Sequence, residues 1–555
     1  MEPNIGQALA AVLTLLVTTR ALWYLLWRPY AIARWFGRQG IRGPPYKFLV
    51  GSLPECQRMV VAGRAKDLDT SSHDCVTTVQ PFFRKWASLY EKKGEEPTTV
   101  VFTQTRLHVC NANTTESYKL QNNYDHYGPP LYGKTFLYWL GPTPALCCTD
   151  MELVKKVLTD RTDMFQKDYL NPSLDPVLGN GVVFANGDDW KRRRKFIHPA
   201  FNQGTIKAMS EITLECTQRT MERWRAKIQE SSRQQTEIDM SHDSDEIAMS
   251  VIARMMLGKN YKEAWEVLVA GKEQLKLATY AFADPPVTGF KYLPTPRNRR
   301  TWQLDKLVRS KISRIIEARL GSSIYEDDLL GQMLQLQACS KTQTLSTEEM
   351  VGECRTFFAA GYDTSASLIT WAMFLLASYP QWQEMVREEV VREYPAHHLP
   401  LVDSPGKLKL LNMLLLETLR LYGPIAFLQR KTSSDTTLAH MKVLKGTMIT
   451  IPLVMLHRDK DVWGPDADMF NPMRFQNGFL KAAKHSHALL AFSCGPRVCA
   501  GQNFAMVEVQ IVIATILKSF SFSLSPTYVH KPSNFITLTP RYGLPLIVRK
   551  LQQAV

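Results

Sequence analysis

The feature that most restricts the possible folds is the run FSCGPRVCAG at 492–501, which precedes an amphipathic stretch with helical spacing. A lone cysteine such as Cys499 is usually a buried, unreactive thiol. Here Gly495 allows the backbone to pass close beneath a flat cofactor, Phe492 can pack on its face, and Arg497 can pair with a carboxylate on it. A cysteine at a helix N-terminus is also stabilised as a thiolate by the helix dipole. The run therefore predicts a cofactor-binding loop with Cys499 as a thiolate.

Two patterns upstream each have an ordinary structural alternative. Glu417 and Arg420 lie three apart on one helical face. Such pairs are commonly surface ion pairs worth less than about 1 kcal/mol, but the leucines around them indicate burial. Thr364, in AGYDTS at 360–365, lies in a long helix where glycine and threonine are unfavourable. Either its hydroxyl bonds the carbonyl four residues earlier and bends the helix, or the helix is widened to admit dioxygen.

Five consecutive cations follow Trp190, in WKRRRK at 190–195. Such runs are normally a solvated face or a nucleic-acid patch. Trp190 and Arg194 lie four apart on one helical face, and no base-stacking motif accompanies the run, so nucleic-acid binding is not expected. The net charge of +15 and the pI near 9.2 then favour an acidic protein face or anionic lipid as the partner.

Residues 1–28 predict a membrane anchor. The stretch 5–27 is apolar apart from Gln7, a few threonines and Arg20, and it is long enough to cross a bilayer. Arg20 would cost roughly 2.5–3.5 kcal/mol at mid-membrane, but near one end it can reach the interface. Basic residues follow before any acidic one, which places the rest of the chain in the cytosol. A cleaved signal peptide is the alternative, although bulky aromatics follow where a cleavage site needs small residues.

Beyond the anchor, the sequence predicts a basic, proline-rich hinge at 29–48 and one large domain at 49–555 that is mainly α with a small β-rich lobe. The longest helix opens with a capping box formed by Ser346 and Glu349 and runs to about Ser378, just before Pro380. Further helices are predicted at 153–158, 205–228, 304–320, 408–421 and 504–520, and strands at 136–140 and 448–454.

The segment 95–130 does not fit this pattern, because it is polar and aperiodic. We interpret it as an atypical surface insertion or as an artefact of gene annotation. The ten cysteines form no CxxC pair, which favours reduced thiols in a protein that faces the cytosol.

Together these motifs resemble the cytochrome P450 superfamily, from about residue 42 to the C-terminus. Four further runs resemble the plant clan of hormone-inactivating, fatty-acid and terpenoid hydroxylases: GPP at 43–45, YWLGPTP at 138–144, NGDDW at 186–190 and LPT at 293–295. The resemblance implies the cytochrome P450 fold and a haem b cofactor whose iron is bound by Cys499. The cofactor-binding residues that it implies are Trp190, Arg194, Arg430, Phe492, Arg497 and Cys499.

The resemblance also assigns roles elsewhere in the chain. Glu417 and Arg420 would join Arg474, in NPMRF at 471–475, in a buried structural network. Asp363 and Thr364 would be the catalytic acid–alcohol pair that supplies protons for oxygen activation. Residues implied to line the substrate pocket are Val183, Phe357, Ala360, 425–428 and Leu538.

These roles imply a haem-thiolate monooxygenase that hydroxylates a lipophilic small molecule, namely a fatty acid, terpenoid or steroid-like hormone. Electrons would come from NADPH through NADPH-cytochrome reductase, with cytochrome b5 as a further candidate partner, and the exposed cations of WKRRRK would face the reductase. The anchor would hold the enzyme in the endoplasmic reticulum membrane. Two alternatives stay open: a reductase-independent hydroperoxide isomerase or dehydratase, against which Thr364 argues, and a non-catalytic haem protein.

Overall fold

The computed structural model describes residues 5–90, 134–168, 179–281, 292–322, 326–339, 344–394, 406–534 and 536–551. The predicted insertion at 95–130 lies outside the described residues. Within them the chain is mainly helical with small sheets, which confirms the predicted fold class.

The N-terminal region forms the helix Ile5–Leu22, a π-helical turn at Trp23–Trp27 and the helix Arg28–Arg38. In the described part of the chain one helical span, Leu9–Arg38, is long and apolar enough to cross a membrane. This finding fits the predicted single-pass anchor.

The segment that follows the anchor packs on the body of the protein. Ile32, Phe36 and Ile41 are buried in an apolar cluster that also contains residues of the main sheet. The Tyr46 hydroxyl donates to the Leu25 carbonyl at 2.8 Å, in the turn where π geometry interrupts the regular hydrogen bonding of the helix. The anchor is therefore joined to the body through packed side chains as well as through the backbone.

The long helix Thr347–Ser378, here named the central helix, runs through the core. The predicted capping box is confirmed: the Glu349 amide donates to the Ser346 hydroxyl at 3.2 Å, and the Ser346 amide donates to the Glu349 carboxylate at 2.8 Å. Its last half is almost entirely buried, from Ser365 to Ala377. The helix ends before Pro380, as a proline disfavours helical geometry in the residue before it.

The other predicted helices are present within a few residues of their expected bounds, except that the one predicted at 304–320 begins eight residues earlier. The observed helices after the N-terminal region are Leu53–Arg64, Val76–Val79, Pro81–Tyr90, Met151–Leu158, Gly187–Ile197, Gln203–Glu230, Met240–Leu257, Tyr261–Ala281, Pro296–Ser322, Leu329–Cys339, Pro380–Glu393, Lys409–Tyr422, Leu453–Leu456, Lys460–Trp463 and Gln502–Ser519.

The largest described sheet has five strands in the order Thr135–Leu140, Thr143–Cys148, Met448–Ile451, Leu428–Thr432, Phe165–Gln166. Smaller sheets pair Gln235–Asp239, Pro545–Lys550 and Phe520–Leu524; Thr436–Leu438 with Met441–Val443; and Pro532–Asn534 with Leu538–Pro540.

One strand prediction was too long. The strand expected at 448–454 ends at Ile451, and Val454 lies in the short helix Leu453–Leu456. Pro452 separates the two elements, because a proline lacks the amide that would continue the ladder.

A buried chain of alternating tyrosine and histidine side chains joins the segment before the helix Val76–Val79 to the segment before the strand Pro532–Asn534. His73 contacts the Tyr379 and Tyr422 hydroxyls at 2.7 and 2.8 Å through its two ring nitrogens. His530 contacts the Tyr422 and Tyr528 hydroxyls at 3.3 and 2.8 Å. Both histidines are 2% exposed, and burial lowers the pKa of His73 to about 3 and that of His530 to about 4.

Candidate active site

A cavity of about 440 Å³ lies between the central helix and the loop 492–501, here named the cysteine loop. This volume is within the range of roughly 300–1,000 Å³ typical of small-molecule sites. The central helix contributes Phe357, Ala360 and Thr364 to the wall, and the cysteine loop contributes Phe492 and Cys499. The lining is mostly apolar, and its polar groups are gathered in a few places.

The cysteine loop is shaped by its own backbone. The Cys499 amide donates to the Phe492 carbonyl at 3.0 Å, and Ser493 and Gly495 have positive φ angles of 64° and 71°. A Cβ on Gly495 would overlap the carbonyl oxygen of Leu158. This contact and its backbone angle each require glycine at position 495.

Cys499 presents its side chain to the cavity. The helix that follows begins at Gln502, so the sulfur lies just ahead of its first turn. Burial raises the pKa of the Cys499 thiol, whereas a hydrogen bond from Gly501 and the charges of Arg194 and Lys167 act in the opposite direction. A metal ion deprotonates the thiol that binds it. The surroundings of this sulfur therefore suit a metal-bound thiolate better than a free thiolate.

Cations gather at one edge of the cavity. Arg194 and Lys167 line it, and Arg430 is buried beside them with one guanidinium nitrogen, Nη2, that has no partner among the described groups. Arg497 lies over the Trp190 ring at 4.2 Å and donates to the Ala185 carbonyl at 2.7 Å.

The cluster is short of negative charge. Burial and neighbouring arginines lower the pKa of Lys167 to about 7, and burial and Arg497 lower the pKa of Arg430 to about 10. The nearest carboxylate to Arg497 is that of Asp163, at 3.8 Å. Buried cations require anionic partners, so these residues fit the two carboxylates of a haem.

The cations of WKRRRK are not all directed outwards as predicted. Arg193 is buried and donates to Glu353 and Glu349 of the central helix, at 3.0 Å in each case. Arg192 pairs with Glu349 and with Asp189. The part of the prediction that gave Arg192 and Arg193 to a docking face is therefore wrong, because the central helix offers carboxylates to them. Lys191 and Lys195 remain exposed.

The structure brings Glu417, Arg420 and Arg474 together in the interior. Glu417 and Arg420 are joined by two hydrogen bonds of 2.7 and 2.8 Å, and both side chains are fully buried. Arg474 donates to Glu417 at 3.3 Å. Arg420 also donates to the carbonyls of His457, Ala467 and Met469. The guanidinium group thus links the helix Lys409–Tyr422 to the segment 457–469.

The central helix is α-helical throughout, so the predicted widening is not seen as a change of helix type. The Thr364 hydroxyl donates to the Ala360 carbonyl at 2.7 Å, which is the back-bond of the alternative interpretation, and Thr364 also lines the cavity. A Cβ on Gly361 would overlap Ile252 of the helix Met240–Leu257. That glycine therefore permits close packing of the two helices.

The two residues next to Thr364 in the chain each take part in a hydrogen bond that involves a carboxyl group. The Thr537 hydroxyl donates to Asp363 at 2.8 Å, and burial raises the pKa of Asp363 to about 6. The Ser365 hydroxyl donates to Glu508 of the helix Gln502–Ser519 at 2.6 Å. Burial raises the pKa of Glu508 to about 8, against this hydrogen bond. Glu508 was not expected from the sequence, where it reads as one acid in an amphipathic helix.

Most of the expected pocket residues line the cavity, among them Val183 and Ile425. Leu538 does not: it is fully buried, and its carbonyl accepts hydrogen bonds from Ser367 and Trp371. Ala426 is also buried in the core. Cavity residues that were not expected include Lys167, Phe201, Ile252, Gln429 and Phe504.

A cysteine sulfur that faces an apolar cavity, with cations at its edge and a hydroxyl on the facing helix, is the environment that haem-thiolate proteins provide for an iron porphyrin. The family model for cytochrome P450 matches residues 107–546. Similar relatives are cytochrome P450 709B1 of Arabidopsis thaliana, 37% identical over 96% of each chain, and cytochrome P450 734A6 of Oryza sativa subsp. japonica, 33% identical over 96% of this chain and 94% of the relative.

A third relative, cytochrome P450 CYP72A219 of Panax ginseng, is 32% identical over 99% of this chain and 98% of its own. The chain therefore belongs to the cytochrome P450 family. It is a haem-iron monooxygenase, that is, an oxidoreductase that acts on paired donors and incorporates molecular oxygen.

Proposed function

We propose that the enzyme hydroxylates a lipophilic small molecule of the fatty-acid, terpenoid or steroid-like hormone class, with electrons from NADPH delivered by NADPH-cytochrome reductase. The observation that carries this proposal is the cavity that holds the Cys499 side chain and Thr364 behind a largely apolar wall. One substrate C–H bond, one dioxygen, one NADPH and one proton give the alcohol, one water and NADP⁺. Apolar walls select a substrate that loses little by leaving water.

Haem b is the proposed form of the cofactor, and when bound it supplies the oxidising chemistry. Cys499 would bind its iron, and Arg194, Arg430, Arg497 and Lys167 would neutralise its carboxylates. Trp190 and Phe492 would pack at its edge and face. The buried, unpartnered nitrogen of Arg430 supports this assignment, because an anionic partner would satisfy it.

Proton supply falls to Thr364 and Asp363. Thr364 lines the cavity, and Asp363 exchanges protons near neutral pH because burial has raised its pKa to about 6. Glu417, Arg420 and Arg474 serve structure and not chemistry, since both arginines donate to the Glu417 carboxylate and to backbone carbonyls.

The proposed location is the endoplasmic reticulum membrane, with an anchor at 1–28, a hinge at 29–48 and the catalytic domain at 49–555 in the cytosol. The apolar span Leu9–Arg38 supports the anchor, and the arginines that follow residue 27 support the orientation. Exposed Lys191 and Lys195 are the part of WKRRRK left to meet an acidic reductase, with cytochrome b5 as a further candidate.

The test is a reduced carbon-monoxide difference spectrum of the full-length protein, followed by NADPH oxidation with reductase and a panel of lipophilic compounds. The wild-type protein should show the long-wavelength Soret band of a thiolate complex, and Cys499→Ser should lose it. Cys339→Ser is the matched control, because Cys339 is exposed on another helix. A product formed from a lipid hydroperoxide without NADPH, or haem binding without any turnover, would refute the proposal.

A further inference from the structure

Asp363 is held from outside the central helix by a residue that belongs to a different part of the fold. The Thr537 hydroxyl donates to the Asp363 carboxylate at 2.8 Å, and Thr537 is 4% exposed. It lies in the segment between the strands Pro532–Asn534 and Leu538–Pro540. The contact therefore joins the C-terminal hairpin to the residue beside Thr364.

The hairpin is itself fixed against the central helix, so Thr537 has a defined position. The Leu538 carbonyl accepts hydrogen bonds from the Ser367 hydroxyl at 2.7 Å and the Trp371 indole at 2.8 Å. The Leu538 amide donates to the Pro424 carbonyl at 2.9 Å. These three bonds hold the backbone beside Thr537 in place.

The charged groups that face Asp363 come from two other helices. Asp245, on the helix Met240–Leu257, raises the pKa of Asp363, and Lys272, on the helix Tyr261–Ala281, lowers it. These two residues form an ion pair in which the Lys272 side chain is 51% exposed and that of Asp245 is 29% exposed. The neighbouring titratable group is Tyr362, which is buried. The ion pair that acts on the Asp363 carboxyl is therefore open to water.

We propose that Thr537 is a positioning residue for proton delivery, holding the Asp363 carboxyl between the solvent-facing Lys272–Asp245 pair and the Thr364 hydroxyl. Asp363 takes a proton from water at this pair and passes it towards Thr364, and a further proton from water then restores it. The inference rests on the proposed function, which assigns proton supply to Asp363 and Thr364. It adds the residue that sets the position and acidity of the carboxyl.

Loss of the Thr537 hydroxyl should raise the pKa of Asp363. The Thr537 hydroxyl donates to the ionised carboxylate and lowers the pKa of Asp363, against the effect of burial. Thr537→Val keeps the shape of the side chain and removes the donor, so the neutral carboxyl is favoured. We expect the midpoint of the Asp363 titration to rise by about one pH unit. Thr537→Ser keeps the donor and should retain the wild-type midpoint.

The experiment is an infrared pH titration of the full-length holoenzyme, in which the band of the protonated Asp363 carboxyl is identified by its loss in Asp363→Asn. The second readout is hydrogen peroxide released per NADPH consumed with reductase, which should rise in Thr537→Val and not in Thr537→Ser. An unchanged midpoint in Thr537→Val, or an equal shift in Thr537→Ser, would overturn the role of Thr537.

A variant at the surface provides a second test in case Thr537→Val does not fold. Lys272→Met removes the cation that lowers the pKa of Asp363 and should also raise the midpoint, whereas Lys276→Met, one turn further along the same helix and exposed, should not. No shift in Lys272→Met would contradict the placement of the proton path. A wild-type protein without NADPH turnover would instead refute the proposed function, so the two failures are distinguishable.

Discussion

Lowering the pH should destabilise the protein through the buried tyrosine–histidine chain. Both His73 and His530 are neutral in the folded protein, with pKa values of about 3 and about 4, against 6.5 for an ordinary histidine. Their folded pKa values lie below the unfolded value, so the stability that they contribute is complete above pH 6.5 and is lost as the pH falls towards the folded pKa. The unfolded chain binds the extra protons.

The size of this destabilisation follows from the difference between the folded and unfolded pKa values. A pH of about 5 is roughly 1.5 units below the pKa of the unfolded histidine, which is therefore protonated, while the folded histidine remains neutral. Each histidine thus lowers the free energy of unfolding by about 2 kcal/mol. The pair should therefore reduce the free energy of unfolding by about 4 kcal/mol relative to about pH 7.5. This is a large part of the roughly 5–15 kcal/mol that stabilises a typical domain.

The assay is urea unfolding followed by intrinsic fluorescence at several pH values. His530→Phe keeps the stacking on Phe374, whose ring lies 4.7 Å away at 4°, and removes the titrating group. Its loss of stability between about pH 7.5 and about pH 5 should be smaller than that of the wild type by about 2 kcal/mol. His242→Phe is the control, since that side chain is 74% exposed. Equal pH dependence in the wild type and His530→Phe would refute the reasoning.

Three further variants test other buried groups. Arg420→Lys should lower the free energy of unfolding by about 3–5 kcal/mol, measured by urea unfolding, whereas Arg219→Lys in an exposed pair with Glu215 should change it by less than about 1 kcal/mol; similar losses would contradict the buried network. Lys167→Met should speed haem transfer to apomyoglobin by about tenfold or more, and an unchanged rate would exclude Lys167 from the carboxylate site. Glu508, whose folded pKa is raised, contributes stability below pH 4.5 that is lost as the pH rises through about 8, so Glu508→Gln should be more stable than the wild type at about pH 8.5 by more than about 1 kcal/mol; a less stable variant there would contradict the raised pKa of Glu508.

Local patterns in the sequence were sufficient where neighbours along the chain decide the structure. The Ser346 capping box and Pro380 define the two ends of the central helix, and both are visible within a few residues. The spacing of Glu417 and Arg420 places them on one helical face, and the leucines around them indicate burial, which the structure shows.

Contacts between distant parts of the chain could not be predicted in this way. Arg193 meets Glu353 across 160 positions, so a run of cations that reads as a solvated face supplies a buried ion pair. The lowered pKa of Lys167 depends on burial and on the charges of Arg430 and Arg497. The need for glycine at 495 depends on the carbonyl of Leu158. In each case the deciding neighbour is set by the tertiary fold.

The segment that follows the anchor and packs on the body of the protein determines where a shortened, soluble form of this enzyme can begin. Cutting before residue 49, where the sequence predicts that the large domain begins, would remove Ile32, Phe36 and Ile41 from the interior. At about 1.5–3 kcal/mol for each buried side chain, that loss approaches the whole stability of a typical domain. An expression fragment for crystallisation should therefore start within the π turn, between Trp23 and Trp27, and keep everything that follows.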